Sequence, residues 1–333
     1  MLFKRTFLSC FLIFIIINWA GAQNEESATV TTYDQVIDDP YAINKLWIHL
    51  QPVYAELFVT NVNIGFGLQV DYQVANKLGL QAQWRRAYAQ ATDFAREVAH
   101  KNQDNVDNNK TYNYLQFGGT IHLSDATSEG DSKIIMYSRR YKGKKWANRV
   151  PETLVVPSQV RKVYGLRWGG FMFNSTTDFS RAAMEQGVIL VDENNDPIGD
   201  AKLYANVDVK ALYLGASLTL IKNIAIKPHR DFGVLVNDLN FNAFIDVIYA
   251  PSVDINDVML GINTVPGNQL DTQELGFRAG VEGKFNKKVG YSYGAELGYR
   301  PSVKERGFYA MFKLSFPVFG VAPQGQPQAY QKN

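Results

Sequence analysis

Between Glu274 and Val318, apolar and polar residues change places at almost every step. Leu275, Phe277, Ala279, Val281 and Phe285 take one parity, and Glu274, Arg278, Glu282 and Lys284 the other. After a break at Asn286, Lys287 and Lys288, Val289, Tyr291, Tyr293, Ala295, Leu297 and Tyr299 stand against Ser292, Glu296 and Arg300. After a second break, Phe308, Ala310, Phe312, Leu314, Phe316 and Val318 stand against Tyr309, Lys313 and Ser315. A side-chain period of two marks a strand with one apolar and one polar face. Each run is about the ten residues that a tilted strand needs to cross a bilayer, so the three predict a transmembrane β-barrel.

The same alternation recurs upstream. Ile64 to Tyr72 and Leu78 to Arg85 form a hairpin around a short turn at Val74 to Lys77. Further strands are expected at Leu115–Leu123, Tyr164–Trp168, Leu212–Leu220 and Phe241–Tyr249. Leu46 to Val59 reads either as the first strand or as a periplasmic plug, because Pro52 and Glu56 interrupt it; proline suits a strand edge or start, and a closed barrel has no edge. The total is ten strands, within a range of about eight to fourteen for narrow barrels. The fold class is therefore all-β, an antiparallel up-and-down barrel with both termini on the periplasmic side, where short turns also lie.

Two long segments break the pattern. Residues 174–206 are expected as an external loop, and 124–159 as a periplasmic insert carrying a small hairpin. The insert contains Ile134, Ile135 and Met136 in an unbroken apolar run; if it crosses the membrane the count becomes twelve. Residues 23–45 read as a polar periplasmic segment, 46–320 as the barrel, and 321–333, rich in Pro and Gln, as a disordered tail.

Residues 1–22 have the form of a secretory signal: Lys4 and Arg5, an apolar stretch from Phe7 to Ile17, then Ala20-Gly21-Ala22 before Gln23. Cys10 is the one cysteine and falls inside it, so no disulfide is expected in the mature chain. Lys4 and Arg5 account for two of the 34 basic residues, leaving 32 against 32 acidic ones. A neutral protein is a poor nucleic-acid partner. Outer-membrane lipid, lipopolysaccharide and other envelope proteins are the expected partners, and no cofactor is implied.

Polar parity must point inward, since lipid cannot satisfy charge. The inward set contains Asp71, Asp246, Glu274, Glu282 and Glu296 against Arg85, Arg167, Arg278, Lys284, Arg300 and Lys313. About eight strands leave only enough room for side chains, and ten add little. A balanced set there is expected to pair across the lumen and occlude it, whereas an ion-selective pore would show a ring of one sign.

Other candidate chemistry is sparser. Lys133, Arg139, Arg140, Lys142, Lys144, Lys145 and Arg149 form one basic cluster, suited to an acidic periplasmic partner or, if external, to lipopolysaccharide phosphates. Asp192, Asn194, Asp196 and Asp200 are spaced somewhat like calcium ligands, but Gly199 is late and no closing Glu follows, so an Asx-rich turn is favoured. His100 lies near Asp93, Glu97 and Asp104 in the external loop after Ala89, where an Asp–His pair could activate water as in omptin proteases. No motif surrounds it, and a solvated loop histidine is favoured; no residue is assigned a catalytic role.

The Ala-Gly-Ala ending before Gln23, the hairpin from Ile64-Gly-Phe-Gly-Leu to Leu78-Gly-Leu, and the closing run Gly307 to Phe316 resemble integral outer-membrane barrels of the Bacteroidota type. That resemblance implies a barrel inserted in the outer membrane of a Gram-negative bacterium and carries over no active-site residue. The function expected is that of a non-enzymatic structural or accessory subunit acting through loops and periplasmic segments. A narrow porin-like channel and an omptin-type hydrolase are the alternatives.

Overall fold

In the computed structural model, ten strands pair each with its neighbours in sequence, and the last pairs with the first. The structure describes residues 32–321 apart from 59–60, 75–76, 90–91, 94–102, 146, 148–149, 229–232 and 286–289. The signal expected over 1–22, His100, Arg149 and all of the tail after Val321 fall outside the described residues. The barrel strands are β1 (Leu46–Phe58), β2 (Asn61–Val74), β3 (Leu78–Ala87), β4 (Asn113–Ile135) and β5 (Thr153–Asp178). They continue with β6 (Tyr204–Ile221), β7 (Leu239–Ile255), β8 (Leu275–Phe285), β9 (Ser292–Tyr299) and β10 (Phe308–Val321). Every pairing is antiparallel, and β1 closes the ring between β10 and β2.

β1 is thus a full barrel strand rather than a plug. The pairing register shifts on both of its edges around Pro52, so a bulge takes up the missing N–H. The bulge also switches parity: Trp47, His49 and Gln51 face inward before it, and Tyr54, Glu56 and Phe58 after it, all buried.

Outward residues are apolar and exposed, among them Leu68, Phe117, Leu166, Leu212, Leu214, Val247 and Phe312. Such a continuous apolar surface needs a hydrocarbon solvent. Tyr249, Phe277, Tyr299 and Phe308 lie on neighbouring strands toward one end, and Tyr72, Tyr164 and Phe316 toward the other, in the manner of interfacial girdles. Among the described residues no helix is long and apolar enough to span a membrane.

The two ends differ. At one, the connections fold into a cap. Residues 179–203 include the helix α1 (Phe179–Gln186), started by Asp178, whose carboxylate accepts from the Arg181 amide at 2.9 Å, and stopped by Gly187 at φ 71°. Hairpin Val258–Leu260/Asn263–Val265 and the pairing of Thr272–Gln273 with Ser302–Val303 complete it. Phe179, Leu203, Val258, Val265, Leu270 and Val303 bury their side chains in one cluster with the lumen residues Phe58, Tyr112, Phe171 and Phe173. The segment expected as an external loop over 174–206 is therefore shorter, because β5 runs to Asp178, and it is packed.

At the opposite end lie the β2–β3 turn and a structured extension. β4 and β5 continue past the barrel as one ladder up to the pair Ile135–Thr153. The insert expected over 124–159 is thus the prolongation of two barrel strands. Its apolar run alternates after all: Ile134 is 2% exposed, Ile135 69% and Met136 5%. Ile134 and Val156 pack on Ile224 and Ile226, which belong to a three-stranded sheet formed by Tyr33–Asp38, Ile224–Pro228 and Leu235–Asn237. The stretch 23–45, expected as a polar periplasmic segment, thus contributes the strand Tyr33–Asp38, paired with residues nearly two hundred positions away. Residues 39–45 then cross the mouth as a strap. Asn223 Nδ2 donates to the Asp39 and Ala42 carbonyls at 2.8 and 3.1 Å on one side, and the Gln73 amide donates to the Lys45 carbonyl at 2.7 Å on the other.

Leu214 sits in mid-strand on the outer face. Leu214→Arg is expected to destabilise the barrel by about 2–4 kcal/mol, the cost of a basic side chain at the bilayer midplane. Urea titration in lipid vesicles measures it; an unchanged midpoint would show that this face does not meet hydrocarbon.

Candidate functional site

The barrel interior is the candidate site, and its charges fall in three tiers. Nearest the cap, the buried Glu56 accepts from Arg300 Nη2 at 2.8 Å and lies 3.6 Å from Arg85 Nη1. Arg300 Nη1 also donates to the Tyr112 hydroxyl at 2.9 Å, and its guanidinium stands 3.6 Å from the Tyr309 ring centre. Arg85 lies 4.2 Å from the Tyr114 ring centre. Aromatic faces thus take over part of the solvation that water would supply to a buried guanidinium. Glu296 is in the same region, with the Tyr309 hydroxyl 3.5 Å away.

In the middle tier Asp246 sits between two arginines. Arg167 donates to both of its carboxylate oxygens, at 2.9 and 3.3 Å, and Arg278 Nε donates at 2.7 Å. Arg278 Nη1 continues to Gln116 Oε1 at 2.8 Å. The carboxylate can lie this close to the wall because Gly215 is its neighbour across the β6–β7 ladder; a Cβ there would come within 2.2 Å of Asp246 Oδ1.

The third tier is bridged by an amide. Gln69 Nε2 donates to Asp71 at 3.0 Å and to Glu282 at 2.8 Å, while its Oε1 accepts from Lys313 at 2.8 Å and from Gln51 at 3.0 Å. Lys313 pairs with Glu282 at 2.7 Å, and Lys284 with Asp71 at 3.1 Å. His49 Nδ1 lies 3.9 Å from Asp71. Between the tiers lies a gap of about 10 Å³, lined by Gln83, Gln116, Glu296 and Lys313 among others, which is space for about one water. Below them, toward the strap, opens a vestibule of about 350 Å³.

Of the eleven charges expected in the lumen, Asp71, Arg85, Arg167, Asp246, Arg278, Glu282, Lys284, Glu296, Arg300 and Lys313 point inward and lie near one another. Glu274 does not: it is exposed, just before β8 begins, and its carbonyl accepts from the Ala250 amide. Glu56 takes its place among the acids. Parity counted from Trp47 would send Glu56 inward only with the bulge at Pro52 included. Arg161, 2% exposed and paired with Asp125 at 2.7 and 2.6 Å, was also missed because the strand expected there began three residues later.

The remaining candidates are scattered. Lys142, Lys144 and Lys145 are exposed on the loop joining β4 to β5, with Lys133 exposed on β4; Arg140 lies against the Tyr141 ring at 4.7 Å. The Arg139 side chain is outside the described residues. Asp192 forms an Asx turn. Its Oδ1 accepts from the amides of Asn194 and Asp196 at 2.8 and 2.9 Å, and its Oδ2 accepts from Asn263 Nδ2 at 2.7 Å. Those N–H groups, the Asp196 amide foremost, hold the carboxyl below the usual aspartate range. No group of three His, Cys, Asp or Glu residues placed to hold a metal ion, Asp196 and Asp200 included, occurs among the described residues.

No family model matches this chain, and no curated protein matches it. Among solved structures it is similar to OmpTdeltaL8, a loop L8 deletion mutant of OmpT, an outer membrane protein of Vibrio cholerae. The identity is 10% over 83% of this chain and 99% of that one, with a TM-score of 0.18. At that score the similarity carries no weight about function.

Two outcomes follow. Asp246→Ala leaves Arg167 and Arg278 buried without their counter-charge and is expected to cost about 3–5 kcal/mol, read from the urea midpoint of the folded barrel; a cost under about 1 kcal/mol, typical of exposed pairs, would mean that the tier is hydrated. In the cap, the Asp192 carboxylate binds its proton less readily folded than unfolded. Its stabilisation is therefore complete above the unfolded value of about pH 4 and is lost as pH falls through the lower folded value. Hydrogen exchange of the 192–196 turn should accelerate on acidification, and Asp192→Asn should flatten that dependence.

Proposed function

We propose that this chain is an integral outer-membrane barrel that does not conduct, and that it serves as a structural or accessory subunit of an envelope assembly. The observation that carries this reading is the double closure of the lumen. One mouth is covered by a packed apolar cap, and the bore behind it is crossed by three tiers of paired charges around a gap of about 10 Å³. A polar conduit needs a continuous wet path and a rim of one sign, and neither is supported by this interior.

The contact surface then lies outside the bore. Short turns face the periplasm in barrels of this kind, which puts the β4–β5 extension, the three-stranded sheet and the exposed Lys142, Lys144 and Lys145 on that side. A lysine-rich loop on a rigid hairpin suits an acidic protein surface, steering it by charge. Lipopolysaccharide would be met only from the other face.

Planar-bilayer recordings of the purified barrel should show no stable conductance steps. Gentle solubilisation after cross-linking should recover a partner with the wild type and lose it with Lys142→Glu/Lys144→Glu/Lys145→Glu. Stable steps would overturn the occluded lumen. Recovery of the wild-type barrel alone, or labelling of these lysines on intact cells, would overturn the accessory role.

A further inference from the structure

The vestibule has a chemistry of its own. The buried charges around it are already engaged: Lys284 with Asp71, Glu282 with Lys313, Arg161 with Asp125 and Arg167 with Asp246; His122 and Lys45, the latter exposed at the rim, also line it. A charged guest that passes the rim would have to break one of these largely buried pairs, leaving the other member uncompensated. What the walls offer instead are amides and hydroxyls, from Gln73, Gln81, Thr120, Thr219, Asn240 and Asn242. The side-chain amides of Gln73 and Asn240 make no hydrogen bond among the described residues. Asn242 accepts from Thr219 Oγ1 at 3.0 Å and keeps its amide N–H groups uncommitted among the same residues.

Each amide both donates and accepts, as a sugar hydroxyl does. At the mouth, Tyr41 of the strap has one ring face against Arg161, 4.3 Å from the ring centre, and the residue is 41% exposed. An exposed aromatic ring beside polar walls suits the apolar C–H face of a pyranose. The volume, about 350 Å³, is at the low end of the range of about 300–1,000 Å³ that holds small ligands. Among the described residues the cavity is partly open to solvent, and the tiers lie between it and the bore.

We propose that the vestibule is a binding site for a small neutral saccharide, of mono- or disaccharide size, entering from the end opposite the cap. The proposal does not rest on the accessory role, since it concerns the cavity and not the β4–β5 loop.

The test is isothermal titration calorimetry of the full chain in lipid nanodiscs, free of sugar-based detergents. Glucose, N-acetylglucosamine and maltose are titrated, with phosphate and lysine as charged controls. At least one of the sugars should bind saturably and neither control should. Asn240→Leu and Tyr41→Ala should each weaken that binding about tenfold, the equivalent of one hydrogen bond or stacking contact, with gel mobility before and after heating showing that the barrel is folded. If Asn240→Leu fails to fold, Tyr41→Ala on the exposed strap decides alone. No binding by any of the three sugars, tighter binding of phosphate or lysine, or sugar binding that survives the substitutions would overturn the proposal.

Discussion

Asp246 sits between two arginines in a space that water barely enters, and much of the molecule is arranged around that necessity. A sheet closed on ten strands must turn one face to lipid and the other to its own axis. The period of two then sends one side-chain parity of each strand inward. At this width the inward side chains meet one another, so each charge has to find its opposite there. Asp246 with Arg167 and Arg278, Glu56 with Arg300, and Glu282 with Lys313 are local solutions of one global constraint. Small residues complete them: Gly215 makes room at the wall for the Asp246 carboxylate, and Gly294 leaves space for the stem of Lys313.

The constraint relaxes differently at the two ends. Toward the cap the interior turns aromatic, with Phe58, Phe171, Phe173, Tyr112 and Tyr114 accepting the apolar undersides of the loops, so the guanidiniums of Arg85 and Arg300 end against rings. Toward the strap the walls turn to amides and hydroxyls around an open cavity. Lumen polarity therefore grades along one axis from apolar to charged to a mixed polar wall in which amides and hydroxyls stand among paired charges. Closure of the bore is achieved at the cap and the tiers, which leaves the far end free to be hollow.

Much of the barrel was legible from alternation alone, because a two-sided strand cannot hide its period: the ten strands and the inward direction of ten of the eleven expected charges follow from parity. What was hidden has physical causes. The bulge at Pro52 switches parity within β1, so Glu56 read as a fault in a strand rather than as the acid that Arg85 and Arg300 surround. Ile134, Ile135 and Met136 read as a continuous run because Ile135 stands on the exposed face, beside Asp131 and Lys133, between two residues buried on the other. Glu274 kept the parity of β8 but stands one residue before the strand begins. The sheet of Tyr33–Asp38 with Ile224–Pro228 joins segments with no local signature of each other, and the cap is a packing of irregular loops that no periodicity announces.

Buried ion pairs are costly to desolvate and often add little net stability, so three tiers of them need a reason beyond holding the barrel together. Apolar side chains in the same positions would close the bore at lower electrostatic cost, yet they would make each strand apolar on both faces. Such strands have no preferred side toward lipid, and a one-residue slip in register would go unpunished. Charges on one parity make the slip prohibitive, since it would place Arg278 or Lys313 in hydrocarbon. The tiers can thus be understood as what specifies the register of a ten-stranded ring, and the obstruction of the bore as the consequence of specifying it in so narrow a space.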